Sequence, residues 1–117
     1  MRDIQSTMRS LGITRRYTGC KQLHYAINLS ISNKNTTWLT LRYLYTETAA
    51  YYNCKWTAVE RNIRTLAARA WKINPALLSE MSGYTLTSAP SASELIELIS
   101  AYVLDDTAQS EKYSSGS

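Results

Sequence analysis

YTETAAYYNCKWTAVERNIRTLAARAW, residues 45–71, reads as two helices folded about a tight turn, with arginines on the outer face of the second. The spacing decides this. Ala49 is small enough to let the second helix close on the first, and Asn53, four residues later, tolerates the left-handed backbone that ends a helix and starts a turn. From Val59 the apolar positions continue as Ile63, Leu66, Ala67 and Ala70, which is helical periodicity over more than three turns. Thr57, Arg61, Arg64 and Ala68 fall on the opposite face, three and four apart, as one outward row. A helix-turn-helix in a basic chain implies duplex DNA as partner, because its second helix has the dimensions of the major groove.

Charge supports that partner. The net charge is +4 over 117 residues, but residues 1–72 carry +9 and residues 73–117 carry −5. A basic amino-terminal part favours a polyanion, and an acidic remainder favours protein or solvent. The length fits one domain with one core. An apolar fraction of 44% is enough for that core, and without Phe the nine Tyr and three Trp are expected to supply its aromatic volume. Residues 1–10 are polar and charged, unlike a signal peptide, and no window approaches the length of apolar chain a membrane span requires. The expectation is a soluble cytoplasmic protein in a reducing compartment, associated with the nucleoid when bound.

Outward from the motif, Ile4, Met8 and Leu11 mark a short first helix capped by Asp3 and ended by Gly12. Leu23, Ala26 and Ile27 mark a second over about 21–32, broken by Ser32-Asn33-Lys34-Asn35. Trp38, Leu41, Tyr43, Leu44 and Tyr45 predict a third that runs almost directly into a separate helix over 46–52. The long helix follows at about 55–72. Asn74-Pro75 suits a helix start, and Ser91 with Glu94 has the spacing of a capping box opening the last helix, at 91–104. Residues 107–117 lack apolar anchors and predict a disordered polar tail beyond a domain of residues 1–106.

These pieces together resemble the DNA-binding effector domain of the Spo0A family of sporulation response regulators. The resemblance covers roughly residues 3–104. It is carried by the first motif helix with Ala49, by Val59-Glu60-Arg61, Ile63-Arg64 and Ala70-Trp71, by Gly83-Tyr84-Thr85, and by Pro90-Ser91 with Ser93-Glu94-Leu95-Ile96. It implies an all-α fold of about six helices with no wing. It also implies a transcription regulator that binds as tandem pairs on adjacent DNA sites, with the last helix as candidate contact surface, and with RNA polymerase or a full-length family member as further partners. The family's base-reading Arg-x-Glu-Arg corresponds here to Ala58-Val59-Glu60-Arg61, so the first arginine is missing. That loss removes about 1–3 kcal/mol of discrimination at one base pair. The family's phosphoacceptor receiver domain has no counterpart in the chain, which is expected to be a stand-alone effector domain or a fragment.

Thr57, Glu60, Arg61 and Arg64 are the candidate base readers, Arg61 foremost as a bidentate partner of guanine O6 and N7. A solvated helix arginine is the plainer reading. Glu60 can accept from a cytosine amino group, close a capping box with Thr57 or pair with Arg64. Lys55, Trp56, Arg69 and Lys72 are the candidate phosphate contacts, with Arg64 also able to serve there; Trp56 can equally cover the core. Cys20 and His24 have ligand-like spacing with Cys54 as a third, but zinc sites need four ligands or an open catalytic triad, so no metal or cofactor is expected. No phosphate loop, catalytic triad or other enzymatic constellation is present in the sequence. The alternative to a base-reading regulator is an interaction module, an antagonist that keeps the fold without specific reading, and Ala58 is what points to it.

Overall fold

The computed structural model describes the backbone of residues 2–32 and 41–116, and the side chains of 2–32 and 42–104. It is built of six helices, α1 (Ile4–Ser10), α2 (Cys20–Ser32), α3 (Leu41–Tyr51), α4 (Trp56–Ile73), α5 (Pro75–Ser82) and α6 (Ala92–Gly116). No strand occurs among the described residues.

Local chemistry sets the boundaries. The Asp3 carboxylate accepts from the Ser6 amide at 2.7 Å to open α1. The Asn74 side-chain Oδ1 accepts from the Leu77 amide at 3.1 Å ahead of Pro75, and its Nδ2 donates to the Ser10 carbonyl at 3.0 Å, tying α5 to the end of α1. Ser91 and Glu94 form the reciprocal capping box, with the Glu94 amide donating to Ser91 Oγ and the Ser91 amide donating to the Glu94 carboxylate. Gly83 ends α5 in the left-handed conformation.

The amphipathic stripes meet in one core. Ile4 and Met8 of α1, Leu23 and Ile27 of α2, Leu44 and Ala49 of α3, the Val59–Ala70 stripe of α4, Leu78 of α5 and Leu95, Ile96, Ile99 and Val103 of α6 are all buried together. Helix α6 touches α1, α2, α4 and α5, while α3 packs on α2 and α4. The motif is therefore held from behind and leaves the outer face of α4 bare.

Three expectations change. Leu41–Tyr51 is one helix rather than two joined ones, since nothing between Leu44 and Thr46 breaks the periodicity; Trp38 lies outside the described residues. The core is mainly aliphatic, with Tyr45 the one buried aromatic among the described residues, because a phenol buried without a partner carries a desolvation cost that surface tyrosines avoid. Helix α6 extends to Gly116, past the 91–104 expected of the last helix; no glycine or proline stands between Pro90 and Gly116 to stop it.

Candidate nucleic-acid interface

The turn between α3 and α4 closes as its residue types require. Asn53 has φ of 53°, the left-handed region, and the Cys54 and Asn53 amides donate back to the carbonyls of Ala49 and Ala50 at 2.9 and 3.3 Å. That pair of bonds is a Schellman motif, and it satisfies the last carbonyls of α3 while turning the chain. Lys55 then serves as N-cap of α4 in extended conformation with no side-chain cap bond. Gln22 of α2 braces the turn from the side, donating to Cys54 Sγ at 3.7 Å and accepting from the Asn62 amide at 3.0 Å.

On α4, Thr57, Arg61, Arg64 and Ala68 are exposed and Val59, Ile63, Leu66, Ala67 and Ala70 are buried, so the outward row and the inward stripe lie where the spacing predicts. Thr57 lies inside the first turn and does not cap, so no capping box forms with Glu60. Glu60 instead sits 3.5 Å from Arg64, one turn along, with side chains 29% and 61% exposed. An exposed pair of this kind is weak and free to exchange for a stronger partner.

Trp56 lies flat on Tyr45, ring centroids 6.4 Å apart at 16°, and remains 41% exposed. It covers the core with one face and offers the other to solvent. Arg42, from the first turn of α3, holds its guanidinium 6.0 Å from the Trp56 ring. Sequence spacing within α4 could not find Arg42; the only signal was its position three residues before Tyr45 on the same helix. Beneath Trp56, burial and then the Glu60 charge push the Tyr45 phenol up from its ordinary value, opposed by a hydrogen bond with Ser93. Tyr45 thus stays a neutral pivot between α3, α4 and α6.

Lys55, Trp56, Thr57, Glu60, Arg61 and Arg64 come together on the amino-terminal half of α4. Lys72 does not join them. It is exposed in the last turn, about 24 Å along the axis from Trp56 at 1.5 Å per residue. Arg69 is also set apart: half-buried on the flank, it donates Nε–H to the Gly12 carbonyl at 3.3 Å and lies 4.8 Å over the Tyr17 ring. Ala58 is half-buried on that same side of the row.

Among the described residues no three His, Cys, Asp or Glu side chains are grouped to hold a metal ion, Cys20 being buried and Cys54 exposed. No helix among them is long and apolar enough to cross a membrane.

Comparison with known proteins agrees with this geometry. The profile of the family described as sporulation initiation factor Spo0A C terminal matches residues 4–103, from the start of α1 into the last helix. No curated protein and no solved structure gives a match.

Proposed function

Because the chain belongs to the Spo0A C-terminal family of DNA-binding effector domains, we propose that it regulates transcription by laying the amino-terminal half of α4 in the major groove. Thr57, Glu60, Arg61 and Arg64 meet base edges, with Arg61 on a guanine and Glu60 leaving its Arg64 contact for a cytosine amino group. Lys55 and Arg42 flank the groove on phosphates, and Trp56 packs against a sugar or thymine methyl. Arg69 and Lys72 take no part in base reading. Supporting this is the exposed row Thr57, Arg61 and Arg64 on a buttressed helix, with the basic residues Lys55 and Arg42 beside its first turn. Copies bind side by side on adjacent sites, using the outward α6 residues Glu94, Glu97 and Ala101.

The test is selection of bound duplexes from a random pool, followed by anisotropy titration of selected and scrambled DNA at about 50 and 200 mM salt. A preference of about a thousandfold or more for the selected duplex is expected. Salt-dependent binding with no preference after selection would instead support the antagonist reading that Ala58 suggests, in which the fold persists and base reading is lost.

A further inference from the structure

A second basic surface lies away from the row of α4. Between α2 and the end of α3, Tyr25 stacks on Tyr51 with centroids 4.4 Å apart at 21°, and Tyr52 meets both rings edge-on at 5.9 and 5.0 Å. The Tyr52 hydroxyl donates to the Lys21 carbonyl at 3.2 Å, which holds the cluster against α2. These rings wall a cleft of about 440 Å³ that also receives Arg15, Lys21 and His24. Its size falls within the usual range for small-molecule sites, about 300–1,000 Å³.

The charge in this cleft is unbalanced. No carboxylate lines it, and neither Arg15 nor Lys21 has an ion pair among the described residues. Burial pushes the Cys20 thiol and the Tyr52 phenol up from their ordinary values, so neither contributes negative charge at neutral pH. Among the described residues, two cations therefore face an aromatic wall with no carboxylate to neutralise them. Tyr51 is 66% exposed although its ring is held rigidly by the stack on Tyr25. A stacked ring face beside exposed positive charge suits a ligand that is both planar and anionic. Duplex DNA offers phosphates but keeps its base faces stacked inside, so it would leave the rings unused.

We propose that this cleft is a binding site for a free nucleotide, whose base stacks on the tyrosine cluster through Tyr51 and whose phosphate is held by Arg15 and Lys21. The site is separate from the α4 row and does not depend on base reading there. Gln22, next to Lys21 on α2, braces the turn into α4, so an occupant lies one residue from the support of the DNA-facing helix.

The experiment is a nuclear magnetic resonance titration of the full chain, following the ring signals of Tyr25, Tyr51 and Tyr52. Adenosine and guanosine monophosphates are the probes, with the nucleosides and inorganic phosphate as separate arms. At least one nucleotide is expected to saturate the ring shifts, with its nucleoside and phosphate each binding about tenfold or more weakly. Lys21→Ala should weaken the nucleotide about tenfold and Tyr51→Ala about fivefold or more, both residues being exposed enough to replace without unfolding. Circular dichroism confirms that each variant is folded. The proposal is overturned if no nucleotide saturates the shifts by about 10 mM. It is equally overturned if phosphate alone binds as well as the nucleotide, if both variants leave affinity unchanged, or if duplex DNA alone moves these rings.

Discussion

Arg69 donates its Nε–H to the carbonyl of Gly12, 57 positions earlier in the chain, at 3.3 Å, with its guanidinium stacked over Tyr17. This joins the carboxy-terminal part of the long helix to the connection between α1 and α2. A charge that helical spacing alone offers to DNA thus also holds the fold together, on a flank apart from the proposed reading row.

Replacing Arg69 should therefore cost stability before it costs DNA affinity. Arg69→Ala loses one neutral-acceptor hydrogen bond and one cation–aromatic contact, together about 1–2 kcal/mol. A domain of this size should then melt several degrees lower. Arg69→Lys keeps the charge but not the fork, and should be destabilised nearly as much. If both variants keep their melting temperature while Arg69→Ala alone lowers the salt slope of DNA binding by about one, Arg69 is a phosphate contact after all.

Gly12 and Gly83 both have positive φ, 79° and 83°, but only Gly12 is crowded. A Cβ at Gly12 would lie 2.9 Å from two carbons of the Ile73 side chain, whereas a Cβ at Gly83 meets nothing within 4 Å. Gly83→Ala should show the backbone strain alone, about 1–2 kcal/mol. Gly12→Ala should cost more, and adding Ile73→Ala should recover part of the excess, since it removes the two carbons at 2.9 Å and leaves the Ile73 Cβ position at 3.1 Å. Urea midpoints of the three variants give the comparison; equal losses at the two glycines would refute the crowding.

Periodicity and capping chemistry made most of this architecture legible. The five buried positions of α4, the Asn53 turn, the Asn74 cap and the Ser91–Glu94 box each depend on residues within a few positions of one another. What could not be read depends on tertiary contact. Gln22 reaches Cys54 and Asn62 across gaps of 32 and 40 residues, Arg42 meets Trp56 from another helix, and the tyrosine cluster draws on two helices. The first of these has no local signature at all. The division of Leu41–Tyr51 into two helices failed for a different reason, an unbroken apolar pattern cut where no breaker stands.

The left-handed Asn53 gives a sharper stability test of the turn. Asn53→Ala should lose about 1 kcal/mol, because a Cβ without a polar side chain is disfavoured at φ 53°, while Asn53→Gly should be neutral or better. Thermal unfolding of both variants measures the order. An alanine variant as stable as the glycine one would contradict the turn geometry.

Alkaline pH should unfold the protein through three shifted groups. Cys20, ordinarily 9.0, and Tyr45 and Tyr52, ordinarily 10.0, are all raised in the folded state, with burial the largest cause for each. As pH climbs past these ordinary values the unfolded chain loses its protons first, so the folded state holds more protons and stability falls. Their contribution is intact below about pH 9 and is lost as pH rises through the raised folded values. Urea midpoints should accordingly be level near neutrality and decline above that point, with a shallower decline for Tyr45→Phe. A midpoint that rises with alkalinity would reverse the sign and the assignment.

The last test separates reading from holding on α4. Arg61→Ala should cut the preference between selected and scrambled duplexes by about 1–3 kcal/mol while leaving most salt-dependent affinity in place. Lys55→Ala and Arg42→Ala should weaken all duplexes alike, each lowering the salt slope by about one. Restoring an arginine by Ala58→Arg should alter which sequences are selected, since position 58 borders the row and a long side chain can extend from its half-buried backbone toward the groove. Anisotropy titrations across salt concentrations, with selection repeated on Arg61→Ala and Ala58→Arg, distinguish these effects. If Arg61→Ala lowers affinity for every duplex equally and shifts no selected sequence, Arg61 holds phosphate and base reading lies elsewhere on the helix.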